Sequence, residues 1–289
     1  MPELPEVEVM RRDLEREVVG KKIKAVEVTG TRSVRRHRNR KEFVDVLVGR
    51  KIMAAQRRGK YLVLKLDGTD ALVVHLGMSG QLLRAKSARE KAPKHTHVVI
   101  TFTQGGLLRF VDPRTFGEMF VAEYDEIDQQ VEELAHLGLD PLETALSWDR
   151  FGRMLAERKS KLKPLLMDQK FIAGIGNVYS DEILFEAGLK WERQSDSLSQ
   201  QEVRRLYRAI SETLQGASNA SAKKSYTEGY EKGRSDSSKQ RFQSLIDKQR
   251  LGPQSNDAAN VRLLEVPLPE REQNGVILAP GTATIRIQE

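Results

Sequence analysis

The 289-residue chain carries 48 Lys plus Arg against 41 Asp plus Glu, a formal net charge of +7, and no cysteine. That composition excludes a disulfide framework, a thiol nucleophile and a thiolate-bound metal, and no apolar run approaches the roughly 18 residues of a membrane span. The cationic excess favours a polyanionic partner, nucleic acid first, although many basic proteins merely carry solvated lysines.

The length suits two domains, each able to bury a core. Charged first residues with no apolar h-region leave the cytoplasm as the expected compartment. Residues 5–19, PEVEVMRRDLEREVV, read as a helix. Pro5 suits the first helical position, Val7, Met10, Leu14 and Val18 share one face, and Gly20 fits the stop. From about 22 to 122 the pattern changes to seven short alternating runs: KIKAVEV, KIMAAQ, KYLVLKL, ALVVHL, HVVITF, LLRFV and EMFVAE. Turn signals such as Asp67-Gly68 and Gly105-Gly106 separate them, which predicts an antiparallel sandwich or barrel. The intervening stretch TRSVRRHRNRK holds six Lys or Arg in eleven residues and is ordinarily a solvated loop.

The acidic connector EYDEIDQQVEEL leads to a helical half that starts near Thr144. There SWDRFGRMLAERK, KLKPLLMDQKF, NVYSDEILFEAG and SQQEVRRLYRAISETLQG read as helices, with Asn177 a good N-cap and Gly188 a fitting stop. Backbone amides near Gly174–Asn177 can face an anion, although a lone Gly-X-Gly is weak. Beyond residue 216, SNASAKKSYTEGYEKGRSDSSKQ is polar and nearly core-less, so a mobile segment is expected. The closing GVILAPGTATIRIQE reads as a hairpin around Pro280-Gly281. Five histidines include His95-Thr96-His97, but no spacing supports a zinc site of His and carboxylates.

The opening MPELPEVEVMRR holds distinctive chemistry. Removal of Met1 leaves Pro2 as a secondary amine beside Glu3. A secondary amine that attacks a sugar aldehyde carbon gives an iminium unable to lose its charge by N-deprotonation, a persistent electron sink that eases elimination. The positive end of the following helix favours the neutral, nucleophilic amine, and the Glu3 carboxyl sits where it could shuttle protons. In an arbitrary sequence, Pro2 would signify only methionine processing and Glu3 a surface charge.

MPELPEVEVMRR, RRGKYLVL, HLGMSGQL, KHTHV, FVDPRTFGEMF and KLKPLLMDQKFIAGIGNVYSDEILFEAGL stand in order across residues 1–210. These six blocks resemble the formamidopyrimidine-DNA glycosylase/endonuclease VIII family of base-excision repair enzymes, the purine-lesion branch more closely. The resemblance implies a multi-domain α and β fold. An N-terminal helix and antiparallel β-sandwich occupy 1–125, a connector 126–143 and a helix–two-turns–helix domain 144–216. On the same resemblance DNA is expected in the cleft between the domains, and a divergent tail spans 217–289. It implies a bifunctional glycosylase/AP lyase that excises oxidised purines such as 8-oxoguanine and formamidopyrimidines, acts on damaged double-stranded DNA as a monomer and needs no cofactor.

Residue by residue, Pro2 resembles the family's Schiff-base nucleophile, Glu3 its proton donor and Glu6 a supporting acid. Lys60 resembles the essential lysine at a β-hairpin; without the family it reads as an edge-strand solubility charge. Met78, Arg114 and Phe116 resemble a trio that fills the void left by a flipped base, whose extrusion costs a few kcal/mol. Met is flexible and apolar, Phe wedges between base steps, and Arg offers paired donors to a base edge. Read as structure alone, Met78 and Phe116 fit a core as well, and their Gly- and Pro-marked loops favour exposure. Asn177 and Lys163 resemble phosphate ligands, Glu182 a residue near the amine, and His95, Arg114 and Lys159 fall on DNA-contacting positions. In this company the stretch TRSVRRHRNRK is expected to touch phosphates.

The family's usual tail is a four-cysteine zinc finger that carries an arginine, and this chain has no cysteine to build one. Some members use a metal-free hairpin; residues 274–289 could form it and place Arg286 as the missing arginine. The alternatives are an unrelated tail, a non-catalytic damaged-DNA-binding protein, and oxidised-pyrimidine specificity of the endonuclease VIII type.

Overall fold

A computed structural model describes residues 1–144, 147–234, 262–267, 271–273, 276–278 and 282–287, with side chains up to residue 220 apart from 145–146. The chain divides into two units, Met1–Gly229 and Tyr230–Glu289. In the first unit, helix α1 (Leu4–Glu17) starts one residue ahead of the expected position, so Pro5 is its second residue. Val7, Leu14 and Val18 are buried, each contributing about 1.5–3 kcal/mol by leaving water. Gly20 turns the chain with φ +84°, a conformation that suits glycine.

Eight strands follow, not seven: β1 (Ile23–Val28), β2 (Ile52–Arg58), β3 (Tyr61–Leu66), β4 (Asp70–His75), β5 (Gln81–Ala85), β6 (Thr96–Phe102), β7 (Leu107–Val111) and β8 (Glu118–Glu123). The additional strand, β5, was obscured because QLLRA is short and half polar. The strands form two antiparallel sheets in the orders β1-β6-β7-β5 and β2-β3-β4-β8. Val26, Ile100, Phe102 and Phe110 of one sheet share a core with Leu62, Leu64, Leu72, Val74 and Met119 of the other, which makes a sandwich. β3 and β4 are buried on both faces. Val63, Ala71 and Val73 pack on Phe120, Ile127, Val131 and Leu134, and this explains the continuous apolar runs of these strands. The acidic connector is therefore structural: it forms short helices α3 (Ile127–Gln130) and α4 (Glu132–Ala135) over the outer sheet face.

The basic stretch 31–41 is not a free loop. It forms a short 3-10 turn, Thr31–Val34, and enters helix α2 (Arg40–Leu47). Arg36 donates to Glu118 at 2.6 Å and Glu133 at 2.7 Å and stacks 4.1 Å from the Phe120 ring centre. Arg35 pairs with Glu118 at 3.0 Å. His37 accepts the Val121 amide at 3.1 Å through Nε2, which satisfies a donor on the edge strand β8. These side chains cover a sheet edge, while Arg32, Arg38 and Lys41 of the same stretch are exposed.

The helical half contains α5 (Trp148–Ala156), α6 (Leu162–Met167), α7 (Asn177–Ala187) and α8 (Gln200–Arg234). Phe151, Leu165, Ile183, Leu206, Ile210 and Leu214 form its core. Helix α8 continues well past residue 216, which corrects the expected boundary: SNASAKKSYTEGYEKGR holds no proline to stop a helix that the packed residues before it have already nucleated. In the tail, β9 (Arg262–Pro267) pairs with β12 (Thr282–Ile287), and β10 (Arg271–Gln273) with β11 (Val276–Leu278), all antiparallel. The expected single hairpin of 274–289 is thus corrected: Val276–Leu278 pairs with Arg271–Gln273, and Thr282–Ile287 with Arg262–Pro267. Arg286 lies opposite Leu263; Pro280 and Gly281 fall outside the described residues.

Candidate functional site

The second residue of the chain is half-buried and the third almost fully so, with Glu3 2% exposed. Glu3 is the N-cap residue of α1, where its own amide donates to Glu6 Oε2 at 2.9 Å. Its carboxylate lies across the chain at the start of α7, accepting the amides of Gly176 at 2.6 Å, Val178 at 2.9 Å and Tyr179 at 3.3 Å. Of the amides expected to face an anion, around 174–177, Gly176 does so, joined by Val178 and Tyr179, while that of Gly174 goes to Gln169; the anion they meet is Glu3, and a helix N-terminus favours a carboxylate as it does a phosphate. The N-cap of α7 is Gly176, not Asn177, with extended backbone at φ −129° and ψ −155°, and glycine is needed there because a Cβ would lie 2.5 Å from the Glu3 carboxyl carbon. Asn177 becomes the exposed first helical residue. Gly188 ends α7 at φ +62°.

Gly174 takes φ +93°, and a Cβ there would meet the Leu4 side chain at 2.5 Å, while the Leu4 amide donates to Gly174 O at 2.9 Å. Close approach of α1 is therefore the reason for glycine in GIGN. Gln169 holds the two-turn loop: it accepts the Gly174 amide and donates to Met167 O and Ile175 O, each at 2.8 Å.

Three further groups complete the cluster. Tyr179 donates its hydroxyl to Glu6 Oε1 at 2.6 Å. Burial pushes this phenol far above its ordinary value, reinforced by Glu6 and by Glu182, which is exposed on the same helix. Lys60, in the two-residue turn between β2 and β3, is only 8% exposed, which removes the solubility-charge reading. Burial lowers its pKa from the ordinary 10.5, and the nearby Glu3 charge opposes that shift.

A second group lies on two loops, 76–80 and 112–117. Met78 and Phe116 are 44% and 45% exposed, and the Arg114 guanidinium stacks 5.3 Å from the Phe116 ring centre. Buried Asp112 organises both loops, accepting Ser79 Oγ at 2.5 Å, the Gly117 amide at 2.7 Å and the Arg114 amide at 3.2 Å. Burial works to raise the Asp112 pKa, but these donors outweigh it and hold the carboxyl below its usual range. Thr115, between Arg114 and Phe116, has φ +55°, a strained conformation for a β-branched residue.

His95 is exposed at φ +63° and its carbonyl accepts the Asp112 amide at 3.0 Å. Lys159 is exposed just after α5. Lys163 is not a free cation: its ammonium contacts both Asp181 oxygens at 2.7 Å. Among the described residues no group of His, Asp or Glu is arranged to hold a metal, and a chain without cysteine has no ligands for a four-thiolate zinc finger. Sequence reading missed Asp112, Gln169, Tyr179 and Arg57. Only Asp112 had a local signal, the Asp-Pro turn of DPRTF.

A sheet domain at the N-terminus followed by a helix–two-turns–helix domain defines a class of DNA repair glycosylases. The formamidopyrimidine-DNA glycosylase N-terminal domain matches residues 1–119 and the H2TH domain of the same enzymes matches residues 137–228. The chain is 42% identical to the formamidopyrimidine-DNA glycosylase of Heliobacterium modesticaldum over 226 residues, covering 74% of this chain and 78% of that one. It is 42% identical to the Mycobacterium avium enzyme of that name over 75% of this chain and 77% of that one. Among solved structures, the complex of Lactococcus lactis Fpg with abasic-site DNA superposes with a TM-score of 0.69 at 32% identity, covering 75% of this chain and 78% of that one. The same enzyme non-covalently bound to AP-site DNA gives 0.68 at 32% identity, covering 75% and 82%. This chain belongs to the formamidopyrimidine-DNA glycosylase family. No helix among the described residues is long and apolar enough to cross a membrane.

Proposed function

We propose that this DNA glycosylase excises oxidised purines, 8-oxoguanine and formamidopyrimidines, from duplex DNA and then cleaves the abasic strand through a Schiff base on Pro2. The observation that carries the reading is the anchoring of Glu3 by three α7 amides. It fixes the carboxyl that adjoins Pro2 in sequence, within electrostatic reach of buried Lys60, which supports its part in proton transfer.

After Met1 removal, the Pro2 nitrogen attacks the anomeric carbon. The glycosidic bond breaks and the base leaves with a proton supplied through Glu3. The Pro2 nitrogen gives up its N–H proton, and ring opening, with a proton taken up by the ring oxygen, leaves the carbon–nitrogen iminium. Loss of a proton from the 2′ carbon then expels the 3′ phosphate, and a second elimination expels the 5′ phosphate. Glu6 fixes the Glu3 backbone through the bond to its amide. Lys60, whose depressed pKa lies closer to the working pH, holds a neighbouring phosphate and exchanges protons with leaving groups. Met78, Arg114 and Phe116 occupy the gap in the stack and face the widowed base. His95, Lys159 and Asn177 contact backbone phosphates, Lys163 does so after exchanging Asp181 for phosphate, and Arg286 supplies the tail's phosphate contact.

Borohydride should trap a covalent adduct with an 8-oxoguanine duplex, and Pro2→Gly should reduce trapping sharply. Absence of any adduct between Met1-processed protein and an abasic duplex sinks the lyase assignment. Faster excision of thymine glycol than of 8-oxoguanine would move the substrate to oxidised pyrimidines.

A further inference from the structure

The side chain of Arg57 is fully buried near the end of β2, and all five of its N–H donors are used. Nε donates to Glu8 at 3.0 Å; Nη1 donates to Gly59 O at 3.2 Å and to Asp140; Nη2 donates to Asp140 at 3.1 Å and Glu143 at 3.3 Å. The acceptors sit on three separate segments: α1, the turn that presents Lys60, and the stretch leading into the helical half. A planar guanidinium holds such partners in fixed mutual geometry, which an ammonium cannot do.

The turn itself passes near the loop that leads into α7. Gly59 takes φ +57°, and a Cβ there would lie 3.4 Å from Ala173 and 3.5 Å from Leu137. Ala173 directly precedes Gly174, in the loop on which α1 rests. Glu3 is thus tied to that loop through the α7 amides, and the Lys60 turn is tied beside it through Arg57. Buried ion pairs do not by themselves argue for stability, so an arrangement this complete calls for another purpose.

We propose that Arg57 is a positioning residue that sets Lys60 relative to the N-terminal amine by locking its turn to α1 and to Asp140. The inference rests on the reading that Lys60 takes part in the chemistry. Glu8 keeps Arg11 and Arg12 as partners at 3.0 and 2.8 Å, so Arg57→Lys retains a paired Glu8 and a buried positive charge.

The test is a double-mutant cycle with full-length Arg57→Lys, Lys60→Ala and the double variant, read by single-turnover cleavage of an abasic duplex, duplex affinity and urea midpoints. Arg57→Lys should slow cleavage roughly ten-fold or more, as sub-ångström misplacement does, with duplex affinity changed less than about two-fold. In the Lys60→Ala background the same substitution should slow cleavage less than about two-fold further, because its effect passes through Lys60. Equal losses in both backgrounds, or no loss in either, overturn the proposal while leaving Lys60 in place. A parental rate for Lys60→Ala overturns the Lys60 reading and this inference with it. Should Arg57→Lys fail to fold, Asp140→Asn, which weakens the fork and keeps Arg57, enters the same cycle with the same criteria.

Discussion

Replacing Gly176 by alanine perturbs the Glu3 anchor with one methyl group. The added Cβ would lie 2.5 Å from both the carboxyl carbon and Oε1 of Glu3 and 2.9 Å from Oε2, about 1 Å inside ordinary contact. Backbone strain does not contribute, because Gly176 has φ −129°. Glu3 is 2% exposed, so its carboxylate can relieve the collision only by leaving amides it now meets at 2.6, 2.9 and 3.3 Å. Hydrogen bonds to charged groups are worth about 1.5–3 kcal/mol each. Loss of one or two, partly offset by water reaching the helix end, puts the destabilisation at about 2–4 kcal/mol. Urea unfolding should register that loss, and single-turnover cleavage of an abasic duplex should fall at least about ten-fold, since orientation of the acid is lost. Gly216→Ala is the control: it lies within α8 with nothing inside 4 Å and should gain up to about 1 kcal/mol. Parental stability and rate in Gly176→Ala would refute the idea that α7 holds Glu3 for catalysis.

Tyr179→Phe removes the donor to Glu6 Oε1; stability should fall by about 1–2 kcal/mol, while cleavage falls by more than that loss explains, which rate and urea midpoint measured together will show. Asp112→Ala strips a shared acceptor from the loops of Met78, Arg114 and Phe116, so it should narrow the ratio of lesion to undamaged duplex affinity in a titration at fixed salt. Burial holds the His37 imidazole below its ordinary 6.5, against a smaller pull from Glu42. Above that value the ring is neutral folded and unfolded, and its contribution is complete. As pH falls below it the unfolded chain protonates first, so stability declines until the folded ring also titrates. Urea midpoints between about pH 7.5 and 5 should therefore fall less steeply for His37→Gln than for the parent; equal slopes would discount the ring.

Much of the molecule was legible because its signals are local. The stripe of Val7, Leu14 and Val18 announces α1, alternation announces most strands, and Gly188 marks the end of α7. The order of family blocks singled out Pro2, Glu3 and Lys60, and the fold buries Glu3 and Lys60 within electrostatic reach of each other. Errors arose where a residue's partner is distant in sequence. Arg36 appeared solvated because Glu118 and Glu133 lie far along the chain, the ion pair of Lys163 left no local signal because Asp181 sits on another helix, and Thr282–Ile287 pairs with Arg262–Pro267 rather than with the strand just before it.

The amino-acid order by itself determined most of the elements, the exclusion of a thiolate metal site and which chemical groups the chain can offer, since backbone preference, side-chain periodicity and functional-group chemistry act over a few residues. Tertiary structure alone decided that the α7 amides hold Glu3, that Lys60 is desolvated and that Arg57 joins three segments. Those properties depend on which distant groups fill the same dry volume, and only the packed chain settles that.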